Sequence, residues 1–295
     1  EAETPVLDWV TGYSEPRVKQ IELFEKWMVA NGYPAVDLRI DVIGKKQNEK
    51  NIIQGVSGVA ADIIDCNTGD VDLYTSVGML EDVTEVAKEM GFDPSKTYPF
   101  AEPFFFIDGR QYGFPRLISV TFYWVNVEAF EKAGLNVPGP EWTFDEFEQM
   151  GKAYVKALAI PGERQSVFLT SQFTLPYRVL MMRSMGEDIF NETQTASRLA
   201  HPAYQEVCEI VRKWTYEDKI IPSAIEAQSL AAETRADTRV GQQLFASGNF
   251  GLLWAARWGL MSFRVIGPER LAICEFPNRG FRNSFIGASP VAIYK

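Results

Sequence analysis

The opening stretch of the chain predicts an α/β fold built on an open parallel sheet, and three observations carry that reading. Residues 5–10, 36–42 and 60–64 are short apolar or alternating runs with the length and composition of strands. Two stretches of helical periodicity separate them, which gives strand, helix, strand, helix, strand. Hydrophobic residues make up 46% of the chain and aromatics 13%, ample for packed cores, so disorder is not the default. A length of 295 residues suits one large domain or two of ordinary size.

Taken in order, PVLDWV is an apolar strand that leaves through Thr11, Gly12 and Tyr13. Ser14 is placed to cap the next helix, with Pro16 in its first turn, where a missing N–H costs nothing. Val18, Ile21, Phe24 and Met28 recur at helical spacing as the buried face, and Asn31-Gly32 ends the helix. Residues 36–42 alternate apolar and polar, the pattern of a strand with one exposed face. Residues 48–56 read as a second helix, and residues 60–64 as a third strand running into Asp65-Cys66-Asn67-Thr68-Gly69. In open sheets of this kind, ligands lie beyond the carboxyl ends of the strands at a topological switch point. That rule nominates the loops at 9–13 and 65–70.

Further along, residues 83–90 read as a helix, and Asp108-Gly109 predicts a tight turn in which Gly supplies the positive φ. Gly113 and Pro115 stiffen an extended segment. Residues 119–126, SVTFYWVN, read as one buried strand, followed by the short helix AFEKAG with Gly134 as its C′ residue. Thr143 and Glu146 form a capping box, and Phe144, Phe147, Met150 and Tyr154 are the buried face of that helix. Residues 168–177, FLTSQFTLPY, read as a loop and residues 178–185 as a helix. Residues 201–217 form a long helix with Tyr204, Val207, Val211 and Trp214 inward. Residues 249–254, 271–277 and 284–294 read as strands.

The order of DGRQYGFP, an aromatic strand ending in Asn126, a short helix with Gly134-Leu135, and WTFDEF at 142–147 resembles the extracellular solute-binding proteins of ABC importers. The likeness is strongest to their sugar-binding, maltose-binding-protein-like group, and it covers essentially the whole chain in order. AYQEVCEIVRKWTYEDKIIPSAI is similar to that family's helix followed by D-x-x-x-P. The resemblance implies a periplasmic-binding-protein-like fold, two α/β lobes joined by hinge strands with a ligand cleft between them. Lobe 1 would take residues 1–118 with a return strand at 287–295, and lobe 2 residues 119–286. The hinge crossings would lie near 117–120 and 287–291. Family members continue past the second crossing into further helices, so the resemblance also implies a C-terminal part of the fold beyond Lys295. It implies a monomer, periplasmic or extracellular, freed of its signal peptide or held by a lipid anchor. Such a protein closes its lobes on a small solute, a carbohydrate for this group, and delivers it to the membrane permease subunits of the importer.

A sugar site needs flat apolar faces to stack on pyranose rings and planar polar groups to meet the hydroxyls. On the resemblance, Trp258 is the leading candidate, although the family's Gly-Pro before that Trp is replaced here by Ala256-Arg257. Trp9 and Tyr13, at a strand end and in the loop that follows it, are the other ring candidates. Asp65 and Asn67 follow a parallel strand and suit hydroxyls; the competing reading is a turn in which Asx side chains satisfy backbone N–H groups. Arg116 and Ser119 flank the expected hinge, and an Arg makes bidentate contacts well. Gln172 lies in a segment that supplies ligand contacts in the family. Arg257 either meets ligand or pairs with an acid. Trp27, Trp142 and Trp214 sit on helical faces and read as packing.

Composition excludes several other classes. A formal net charge of −10, with no cluster of Lys and Arg, argues against a nucleic-acid partner. No apolar run reaches the roughly 18–20 residues of a membrane span. The polar start Glu1-Ala2-Glu3-Thr4 fits a mature chain whose leader has been removed, and fits a cytosolic protein equally. Cys66, Cys208 and Cys274 are odd in number and widely spaced, so they read as small buried hydrophobes rather than a disulfide framework. His201 is the only His and lies at a helix start, which leaves no metal-ligand spacing and no cofactor motif. Two alternatives to a sugar-binding protein remain. The same fold would serve a polyamine, an anion or a compatible solute. A secreted carbohydrate-active enzyme would instead need a carboxylate pair such as Asp62 with Asp65 or Asp70 with Asp72, about 5–10 Å apart.

Overall fold

The computed structural model describes residues 4–42, 44, 46–161, 167–169, 175–233 and 244–295. Unit 1 comprises Glu1–Ser119 and Gly287–Lys295, and unit 2 comprises Val120–Ile286. The chain begins with β1 (Val6–Thr11), α1 (Glu15–Ala30), β2 (Asp37–Val42), α2 (Gln47–Val56) and β3 (Ile63–Asp65). It continues with α3 (Asp70–Ser76), α4 (Thr84–Met90), β4 (Phe106–Ile107), β5 (Arg110–Gln111) and β6 (Phe114–Val120). Unit 2 holds β7 (Phe122–Asn126), α5 (Val127–Lys132), α6 (Phe144–Ala157), β8 (Val167–Leu169) and α7 (Leu175–Ser184). It also holds α8 (Pro202–Tyr216), α9 (Ala224–Glu233), β9 (Phe250–Ala255) and β10 (Leu271–Cys274), before β11 (Ile286–Ile293) returns the chain to unit 1.

Unit 1 is a five-stranded sheet in the order β2-β1-β3-β11-β6. The first three strands are parallel, as their alternation with helices predicts, while β11 runs antiparallel to β3. The sheet is therefore mixed. β1 alternates its side chains across the two faces. Trp9 packs with Ile21 of α1 and Leu38 on one side, and Val10 and Ile64 meet Val71 and Tyr74 of α3 on the other. Ser14 caps α1 as expected, its hydroxyl accepting from the Arg17 N–H. The third strand is shorter than its apolar run and shifted to Ile63–Asp65, because only Ile63 and Ile64 pair with β1, at Trp9 and Val10.

α3 was not legible as a helix. It follows Gly69, whose φ is +88°, and only Val71 and Tyr74 of its apolar positions turn inward. The Asp108-Gly109 turn does form: both residues have positive φ, and the turn joins β4 to β5 in a two-residue hairpin. Residues 119–126 are two strands rather than one. β6 belongs to the sheet of unit 1 and β7 to that of unit 2, so the run must break at Thr121. There the Thr121 N–H donates to the Phe285 carbonyl at 3.0 Å, and the Ser284 hydroxyl to the Thr121 carbonyl at 2.6 Å.

Unit 2 has a four-stranded sheet, β10-β7-β9-β8, with only the β8–β9 pair parallel. On one face, α6, α7 and α8 bury Phe147, Tyr154, Tyr177, Val207 and Trp214 against Tyr123, Phe168 and Leu252. The other face packs Trp124, Leu253 and Ala255 on Phe245 and Phe263. Both halves of the predicted capping box of α6 are made, Glu146 N–H to Thr143 Oγ1 at 3.2 Å and Thr143 N–H to Glu146 Oε2 at 2.7 Å. The loop expected at 168–177 gives way at both ends. Phe168 and Leu169 lie in β8, paired through Leu169 to Leu252, and Leu175 to Tyr177 open α7. Gly251 permits the close approach of β9 to its neighbours, since a Cβ there would sit 2.9 Å from the rings of Phe130 and Tyr154.

Candidate functional site

In unit 1, β1 has β2 on one side and β3 on the other, so the carboxyl ends of β1 and β3 form the topological switch point of the sheet. Thr11 ends β1 and Asp65 ends β3. Asp65 is only 8% exposed, and its carboxylate is surrounded by donors. The Trp9 indole N–H donates to Oδ1 at 3.1 Å and the Thr11 hydroxyl to Oδ2 at 2.5 Å. Two guanidiniums add ion pairs, Arg17 to Oδ2 at 3.5 Å and Arg116 Nε to Oδ1 at 3.3 Å. A buried carboxylate is tolerated only when paired and hydrogen-bonded, and here it is both.

Arg17 lies with its guanidinium carbon 4.3 Å from the centre of the Trp9 ring and donates from Nη1 to Gln20 Oε1 at 2.7 Å. Burial lowers the Arg17 pKa from its ordinary value; Asp65 opposes that effect, and the like charge of Arg116 adds to it. Arg116 stays partly open, with 26% of its side chain exposed, and its guanidinium makes no hydrogen bond to any described residue. Cys66, next in the chain to Asp65, is buried, and burial pushes its thiol well above the ordinary range. That keeps it protonated and unreactive at neutral pH.

The loop after β3 is held by a second network. Asp70 accepts from the Asn67 backbone N–H at 2.6 Å and Asn67 Nδ2 at 3.0 Å, and its other oxygen from Asn48 Nδ2 at 2.8 Å. The Tyr74 hydroxyl donates to Asn48 Oδ1 and accepts from Asn51 Nδ2, both at 3.0 Å. Burial pushes the Tyr74 phenol up to about 12, with the Asn51 hydrogen bond pulling the other way. Asn67 itself remains exposed.

The residues nominated from the sequence thus fall into groups. Trp9, Asp65 and Arg116 come together, with Trp9 7% exposed and one ring face covered by Arg17. Tyr13 stands in the loop after β1 at 64% exposed, and Asn67 is exposed in the loop after β3. Ser119 is half-buried in β6. Gln172 lies outside the described residues. In unit 2, Arg257 and Trp258 occupy a single 3₁₀ turn beyond β9. Trp258 is 55% exposed and has no ring partner among the described residues. The turn is pinned by Gly259, where a Cβ would lie 2.5 Å from the Phe263 ring. The rings read as packing divide: Trp142 and Trp214 are buried, while Trp27 is 51% exposed and stacked on Tyr33.

Sequence reasoning missed Thr11 and Arg17. For Arg17 a signal was available. It sits in the first turn of α1, where the helix dipole disfavours a cation, so its presence there called for a nearby anion.

The family profile described as bacterial extracellular solute-binding protein matches residues 47–295, most of the chain. The chain belongs to that family. The fold agrees. An ABC substrate-binding protein from Listeria monocytogenes, solved with cycloalternan, superposes with a TM-score of 0.82 at 21% identity, over 99% of this chain and 71% of the other. A solute-binding protein from Thermotoga lettingae bound with α-D-tagatose gives 0.80 at 14% identity, over 99% and 73%. The Thermus thermophilus maltotriose binding protein, with maltotriose, gives 0.74 at 14% identity, over 98% and 72%. No curated protein matches the sequence. This solute-binding protein therefore has the two-lobe, periplasmic-binding-protein-like α/β fold, and its family is extracellular. Among the described residues there is no group of three or more His, Cys, Asp or Glu able to hold a metal ion, and no helix long and apolar enough to cross a membrane.

Proposed function

We propose that this chain binds a carbohydrate and hands it to the membrane subunits of an ABC importer. The observation that carries the reading is the family match together with the exposed Trp258, on a turn beyond a sheet strand and without a ring partner among the described residues. Structural relatives carry cycloalternan, tagatose and maltotriose. Trp258 offers the flat face that a pyranose ring stacks on, with Arg257 beside it. In unit 1, Tyr13, Asn67 and Arg116 are the accessible groups, and the buried Asp65 with Trp9 and Thr11 supports them. Ligand contacts would favour one population of the two-lobed chain, and that population would be the one the importer receives.

Catalysis has little support: Asp65 and Asp70 both spend their oxygens on internal donors, and Cys66 is a protonated thiol. The test is a thermal-shift screen with mono- and oligosaccharides, polyamines and amino acids, followed by calorimetry on hits in wild type and Trp258→Ala. A sugar should raise the melting temperature, and the variant should lose that binding with its own stability unchanged. A polyamine or amino acid stabilising the chain while every sugar fails would replace the carbohydrate by that class.

A further inference from the structure

We infer that the ligand carries a carboxylate, so that the favoured substrate is an acidic saccharide such as a uronic acid or a short uronide. The inference rests on the carbohydrate reading above and goes beyond it. It starts from a mismatch at the switch point: one buried carboxylate, Asp65, faces two guanidiniums, Arg17 and Arg116.

The two arginines are not equivalent. Arg17 is 16% exposed, lies over Trp9 and is tied to Gln20, so its role is spent inside the fold. Together with the Trp9 and Thr11 donors, it already supplies Asp65 with a counter-charge and two hydrogen bonds. Arg116 adds a second positive charge that Asp65 does not need. The other buried carboxylate of this loop, Asp70, is satisfied by the amides of Asn48 and Asn67 and pairs with neither arginine.

Arg116 therefore keeps a planar fork of N–H donors without an acceptor among the described residues, on a side chain that solvent still reaches. Its ion pair to Asp65 at 3.3 Å fixes where that fork sits without consuming it. A guanidinium in this state is built for a planar, two-oxygen anion, which it meets with two parallel charge-assisted hydrogen bonds. A neutral hydroxyl pair fits the same fork but leaves its charge uncompensated. The exposed Tyr13, two residues beyond Thr11, supplies a ring surface on the same strand end. Ring and anion receptor together describe an acidic pyranose.

The test compares sugars that differ only in that group. Calorimetry on the whole chain would use D-galacturonate against D-galactose and D-glucuronate against D-glucose, with a digalacturonate and maltotriose to cover longer ligands. The acidic member of a pair should bind at least roughly tenfold more tightly, the range of one charge-assisted contact. Arg116→Gln should cost the acid at least roughly tenfold more affinity than it costs the neutral partner, which closes the gap between the two. Arg116→Lys, which keeps the charge and loses the fork, should fall between, and it serves if the Gln variant does not fold. Neutral sugars binding as well as or better than the acids would overturn the inference and leave the carbohydrate reading standing. No saccharide of either kind binding would overturn both.

Discussion

The two units solve the same packing problem with different materials. Unit 2 is filled with rings: Phe147 alone lies within 6.3 Å, centre to centre, of Tyr123, Trp142, Phe168 and Trp214. Unit 1 packs several smaller clusters that mix aliphatic side chains with separate rings such as Trp9, Tyr74 and Phe105, and places a charged hub, Asp65 with Arg17 and Arg116, at the end of its central strands. A ring core is apolar and indifferent to pH. A buried ion hub is costly to assemble, and the proposal above assigns this one to recognition rather than to stability. Unit 2 does carry an ion cluster, Glu148 with Lys152 and Lys213, but its lysines are 44% and 41% exposed. The contrast is thus between a charge kept inside and charges kept at the edge.

Removing a ring from unit 2 should have the largest effect. Phe147→Ala empties a fully buried site and should cost about 3–5 kcal/mol in chemical denaturation, with loss of near-ultraviolet circular dichroism. A cost below about 1 kcal/mol would mean that the cluster repacks, and the ring core would lose its special standing. Asp65→Asn should come next, at roughly 3 kcal/mol, because two guanidiniums lose their counter-charge in a buried setting. If that variant proved as stable as wild type, the hub would be solvated, and the difference between the units would collapse.

The edge cluster should give the smallest effect, visible only in acid. Burial raises the Glu148 pKa, but hydrogen bonds from Lys152, Lys213 and Trp214 outweigh it and hold the carboxyl at about 2, below its ordinary 4.5. A carboxylate depressed on folding contributes stability above its unfolded value and loses it as pH falls through the folded one. Wild type should therefore lose stability between pH 4.5 and about 2, and Glu148→Gln should flatten that part of the profile. An unchanged profile in the variant would show that the lysines leave Glu148 to solvent.

Much of this contrast could be read from the chain, because it is local. The capping residues Ser14 and Thr143, the Asp108-Gly109 turn and the inward faces of α6 and α8 depend on neighbours within a few residues. The failures also have a local cause. α3 turns only two of its three apolar positions inward within seven residues, and β8 is too short to show a period. At the candidate site, the strand-end rule nominated Tyr13, Asp65 and Asn67, which follow from topology alone. What it lacked was pairing: Trp9 reaches Asp65 across 56 positions, and no spacing rule announces that contact. A cation in the first turn of α1 was the one visible clue to the hub.

The place of β11 has a consequence for how the chain is made. It fills an inner position of the unit 1 sheet, between β3 and β6, and pairs Val291 with Asp65. Synthesis from the N-terminus delivers β1, β2, β3 and β6 first, then β7 to β10, and only then the strand that joins β3 to β6. Until residues 286–293 emerge, both strands present bare edges, the kind of surface that invites pairing with a second chain. The sheet that starts the sequence thus waits for a strand made after β10, and the Asp65 end of β3 lacks its neighbour on that side until the return strand arrives.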